Sequence, residues 1–80
     1  VADLALLDVY CRVFKALRTL GRPVETGVVV LKDPPTHKEL AAMVGTSREM
    51  VTRALTKLKD DGLVETDNAG FRLLGSIPGC

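Results

Sequence analysis

The tightest constraint lies mid-chain, where a glycine stands between two helix-start signals. Thr36 is followed three positions later by Glu39, and then Leu40, Ala41 and Val44 fall on one helical face. A threonine hydroxyl can accept from an amide of the first turn while the glutamate reaches back to the threonine amide, a reciprocal cap. Gly45 stops that helix. Thr46 or Ser47 caps the next, which is expected to run to about Asp60 with Val51, Ala54, Leu55 and Leu58 as its buried stripe. Two short helices with so little chain between them form a helix-turn-helix. The demands of that geometry are met at fixed offsets. Ala41 is small where the helices cross, Gly45 tolerates the positive φ of the turn, and Val51 and Ala54 pack back.

The flanks fill out the rest. Leu4, Leu7, Tyr10, Phe14 and Leu17 make a helical stripe, widened by Val13 and Leu20, with Gly21-Arg22-Pro23 as its stop. Asp8 interrupts the stripe, so this stretch is either one helix or two helices meeting at a capping Asp8. Gly27–Leu31 is a β-branched run that predicts a strand, broken by Asp33-Pro34-Pro35. Beyond a stop at Gly62, Leu63–Thr66 and Phe71–Leu74 flank a short turn and predict a β-hairpin. The expected fold is α+β, mainly helical: a three-helix core with a small antiparallel hairpin wing, one winged helix-turn-helix domain over residues 1–80.

With 80 residues the chain holds one small domain, whose core is aliphatic because Tyr10, Phe14 and Phe71 are its only aromatics. No apolar run approaches the about 20 residues that span a bilayer, and nothing resembles a signal peptide. The missing initiator Met leads us to expect a piece of a longer protein or a processed product. Cys11 and Cys80 lie near opposite ends, with neither metal-ligand spacing nor a disulfide framework, and are expected to be reduced thiols in a cytosol. His37, the sole histidine, has no Cys or paired carboxylate beside it, so no metal site is expected. Met43 and Met50 read as ordinary packing residues, and Asp60-Asp61 as a solvated helix end. No phosphate loop and no nucleophile–base pair is present, so no enzymatic activity is expected.

The net charge of +1 does not by itself point to a polyanionic partner. Its distribution is more informative: Lys32, Lys38, Arg48, Arg53, Lys57 and Lys59 face only Asp33, Glu39 and Glu49 over the middle segment. On the second helix of the pair, Arg48, Glu49, Thr52, Arg53 and Thr56 point away from the buried stripe. An arginine can donate two bonds to guanine O6 and N7, and a glutamate can accept from cytosine N4. The plainer reading is a solvated face on which Glu49 and Arg53 pair at i, i+4.

The stretch Thr36 to Leu55, THKELAAMVGTSREMVTRAL, resembles the helix-turn-helix of the cyclic-AMP-receptor-like (Crp–Fnr) bacterial regulators, and Val1–Val9 with Arg12 is similar to their passage from a dimer helix through a hinge. The resemblance implies roles. Arg48, Glu49, Thr52 and Arg53 would meet bases, with residues 47–60 in the major groove of a TGTGA-like half-site. Thr36, His37, Lys38, Ser47 and Lys57 would hold the DNA backbone. Asp8 would cap at the hinge, and residues 1–7 would end the dimerisation helix. The implied protein is a cytoplasmic, nucleoid-associated promoter-binding regulator that works as a homodimer on double-stranded DNA, with RNA polymerase as a further partner and no membrane. It needs no cofactor within these residues; an effector such as a cyclic nucleotide would belong to a sensory domain ahead of them. The sequence departs from the family at the wing, which has no Lys or Arg at its tip, leaving Arg72 as the nearest cation. An alternative is a winged helix used for protein interaction or dimerisation, supported by the apolar stripe of the first helix.

Overall fold

A single helix, α1 (Leu4–Leu20), opens the fold in the computed structural model, which describes residues 4–68 and 70–75, with side chains in α1 from Leu7 onward. The helix runs unbroken through Asp8. The cap expected there does not form, because a turn of helix already precedes Asp8 and takes up the amides it would have bound. Its carboxylate turns instead to Arg12, one turn on, at 3.1 Å. The face α1 buries is Val9, Tyr10, Val13, Phe14 and Leu17; Leu7 and Leu20, expected in the stripe, are about half exposed at 47% and 48%.

Two strands follow where one was expected. β1 (Arg22–Glu25) pairs antiparallel with β2 (Val28–Leu31) across a turn at Thr26-Gly27, with an irregularity between Pro23 and Glu25. β1 is an edge strand, which accommodates a proline that cannot donate to a ladder. Then come α2 (His37–Val44), α3 (Arg48–Asp60), β3 (Val64–Asp67) and β4 (Gly70–Leu74). The strands make one antiparallel sheet in the order β1-β2-β4-β3, so the wing hairpin is continuous with the earlier hairpin rather than separate from it. Gly70 is required where β4 passes β2: a Cβ there would run into the Leu31 carbonyl.

The helices enclose the core. Leu40 and Ala41 of α2 and Val51, Ala54, Leu55 and Leu58 of α3 are buried against the α1 face, and Leu31, Val64 and Leu73 close it from the sheet. The predicted stripe of α3 is therefore the buried one, residue for residue. Burying four such side chains on a helix of thirteen residues holds α3 rigidly by its inner face. Its outer face is thereby fixed in orientation.

Cys11 is half-buried, and its sulfur is disulfide-bonded rather than the reduced thiol expected of it. The expectation for Cys80 lies outside the described residues, as does that for residues 1–3.

Candidate nucleic-acid interface

Both helix starts are built as their sequences predict. Thr36 Oγ1 accepts from the Glu39 amide at 3.1 Å, and the Thr36 amide donates to Glu39 Oε1 at 3.0 Å, completing the box. The bond from the Thr36 amide holds the Glu39 carboxyl below its ordinary value of 4.5. Gly45 takes the left-handed conformation at φ 74°, and Ser47, not Thr46, caps α3 by accepting from the Met50 amide at 3.2 Å. Each cap oxygen serves as an acceptor, so each hydroxyl keeps its proton for a further acceptor. The amides that open each helix are left without intrahelical partners, and they carry partial positive charge.

Arg48, Glu49, Thr52, Arg53 and Thr56 are all exposed on the outer face of α3. Among the described residues, the Arg48, Glu49 and Arg53 side chains make no ion pair or hydrogen bond. The i, i+4 pair between Glu49 and Arg53 that a merely solvated face would form is not among the ion pairs. Two guanidinium groups and a carboxylate are thus presented with their donors and acceptors open. Thr56 is different: its hydroxyl donates to the Thr52 carbonyl at 2.9 Å.

Other expected contacts have partners inside the protein. His37 Nδ1 lies 2.8 Å from Thr52 Oγ1, joining the first turn of α2 to the outer face of α3. Lys57 stands about two and a half turns from Arg48, on the opposite flank of α3. Its ammonium lies over the Tyr10 ring, 5.8 Å from the centroid, and 3.9 Å from Asp61. Asp61, read from sequence as a solvated helix end, accepts from the Tyr10 hydroxyl at 2.6 Å. Burial first, and then this bond to a carboxylate, push the Tyr10 phenol up to about 12. In the wing, Arg72 lies 3.9 Å from Asp67 and stands opposite Glu65 in the ladder, so the one nearby cation is held among carboxylates. Lys38 and Ser47 are exposed, with the Lys38 ammonium unpaired among the described residues.

A last contact ties α1 to the turn: Arg12 Nη1 donates to the Val44 carbonyl at 3.2 Å, one residue before Gly45. These cross-helix bonds were not legible in sequence, because their partners stand 15 to 51 positions apart with no motif linking them. Met50 packs on the core as expected, but Met43 is 52% exposed and lines an open groove with Leu20 and Val24.

A helix-turn-helix whose second helix is pinned by its inner face, with open polar side chains on its outer face and a hairpin beside it, defines a winged helix-turn-helix DNA-binding domain. Sequence comparison makes the assignment particular. The family model of the Crp-like helix-turn-helix domain matches residues 11–75, and the chain belongs to that family. It is similar to the cAMP-activated global transcriptional regulator Vfr of Pseudomonas aeruginosa, with 36% identity over 78 residues. That alignment takes in 95% of this chain but 36% of Vfr, so the chain spans about a third of that relative's length. Among the described residues, no helix is long and apolar enough to cross a membrane.

Proposed function

We propose that this domain reads promoter DNA of the TGTGA-like half-site class, with α3 lying in the major groove. The observation that carries the reading is the outer face of α3, where Arg48, Glu49 and Arg53 stand exposed with no side-chain partner among the described residues. In this reading Arg48 donates to a guanine, Glu49 accepts from the cytosine of a neighbouring pair, and Arg53 contacts a base or the adjacent phosphate. Residues at the start of such a helix reach furthest into the groove. Thr36, Lys38 and Ser47, with the open amides at the two helix starts, hold phosphates and set the register. Lys57 is left out of that set, because its ammonium is directed toward Tyr10 and Asp61.

The same reading places the domain in a cytoplasmic homodimer on an inverted repeat, joined through the helix that enters at α1. Leu7, exposed at 47% near the start of α1, is apolar surface of the kind such a junction would cover. RNA polymerase and a cyclic-nucleotide-type effector belong to this proposal for the longer protein. The rival interaction-module reading loses its main support, since Tyr10, Phe14 and Leu17 of the stripe are buried inside this domain.

The test is a selection from randomised duplexes followed by gel shifts. Arg48→Ala is expected to lose the guanine preference at one position while keeping salt-dependent background binding, at a discrimination cost of about 1–3 kcal/mol. Absence of any sequence preference in the unmodified chain would sink the proposal.

A further inference from the structure

Thr52 Oγ1 carries one hydrogen and has two neighbours, the Arg48 carbonyl at 3.1 Å and His37 Nδ1 at 2.8 Å. The carbonyl can only accept, so if both bonds are made the hydroxyl proton goes there. For the second bond to be made, His37 Nδ1 must carry a proton and donate it. The hydroxyl is then committed on both sides and its torsion is fixed between them. The hydroxyl and the methyl share one carbon, so fixing one fixes the other. Thr52 is exposed on the same face as Arg48 and Glu49 and sits about one turn beyond Arg48.

We infer that His37 is a positioning residue for sequence reading: through Nδ1 it holds the Thr52 hydroxyl, so that Thr52 meets the DNA with its methyl group and recognises the 5-methyl of a thymine. This rests on the major-groove reading proposed above and assigns to His37 a task distinct from phosphate contact. Apolar contact with the thymine methyl is an established form of direct readout, and it requires a side chain whose methyl, not its hydroxyl, faces the groove. His37 suits the task because it is half-buried and sits on the first turn of α2, an element whose own position is fixed by the Thr36–Glu39 box.

The experiment uses this chain and its best selected duplex, with each thymine replaced in turn by uracil, which removes only the 5-methyl. Binding is read by fluorescence anisotropy, and folding of each variant by circular dichroism. The unmodified chain is expected to lose about fourfold in affinity at one thymine position, the equivalent of about 0.8 kcal/mol for one buried methyl group. Thr52→Ser keeps the hydroxyl and removes the methyl, so it should bind thymine and uracil equally at that position while retaining the guanine preference set by Arg48. His37→Asn places a donor where Nδ1 stands and should preserve the thymine effect. His37→Gln places its amide where Nε2 stands and should lose it. If His37 acts only on phosphate, the Gln variant will match the unmodified chain and the Asn variant will not, which overturns the inference. A selected half-site that tolerates uracil everywhere overturns it too, while leaving the reading by Arg48 and Glu49 intact. A chain with no sequence preference removes both.

Discussion

Tyr10 and Asp61 illustrate how much of this domain rests on single side-chain pairs that no local pattern announces. The phenol is buried on α1 and donates to a carboxylate at the C-terminal cap of α3, so it fastens α1 to the far end of α3. Burial and the neighbouring carboxylate both favour the neutral phenol, which raises its pKa to about 12 against an ordinary 10.0. A group with a raised folded-state pKa contributes stability that is fully present below its unfolded value. That contribution is lost as the pH climbs through the folded one. Urea midpoints should therefore hold steady up to about pH 10 and fall toward pH 12, with at most about 2–3 kcal/mol at stake. Tyr10→Phe should be less stable near neutrality by about 1 kcal/mol and should show a flatter alkaline limb. An unchanged limb in the Phe variant would mean that other groups set the alkaline response.

At the scale of elements, helix starts and stops were the most legible part of the sequence. Capping is local chemistry: Thr36 and Glu39 lie within one turn, and the Gly45 and Ser47 signals need no knowledge of the rest of the fold. Thr36→Ala and Ser47→Ala should each cost about 1 kcal/mol in thermal or urea unfolding. In the box, the Glu39 carboxyl is lowered because its charged form accepts from the Thr36 amide. Its contribution is present above the ordinary glutamate value and is lost as acidification passes the lowered one. The acid limb of a stability profile should thus shrink in Glu39→Gln. Strand β1 marks where legibility ended. Arg22-Pro23-Val24-Glu25 has two charges and a proline, and all four residues are exposed, so no alternation of buried and open positions betrays it. It is a strand because β2 offers it a ladder, a tertiary cause that local sequence cannot express. At Asp8, of the two readings the sequence left open, the single helix is the one observed. A good cap residue was present, but the helix had already begun at Leu4.

At the scale of the whole molecule, the question is how a chain with a net charge of only +1 can hold a polyanion. Its cations are divided by their partners. Lys57 and Arg72 are engaged with Asp61 and Asp67, whereas Lys38, Arg48 and Arg53 have no ion-pair partner among the described residues. Each phosphate neutralised contributes about −0.9 to the slope of log K against log salt. Lys38→Ala should therefore flatten that slope by about one, and Lys57→Ala should leave it unchanged while loosening α1 from α3. With so few contacts, one copy should bind weakly. In the proposed homodimer a second copy would be brought in through α1, which is described from Leu4 to Leu20 as one unbroken rod. Fusing a parallel two-stranded coiled coil ahead of α1 tests this directly. If the rod sets the spacing of the two reading helices, the fused dimer should bind an inverted repeat about 10²–10⁴ times more tightly than a duplex with one half-site. Inserting half a helical turn of DNA between the half-sites should abolish that gain, because it rotates one groove away from its reading helix. A gain indifferent to half-site spacing would show that the domains hang on a flexible joint and that α1 sets no register.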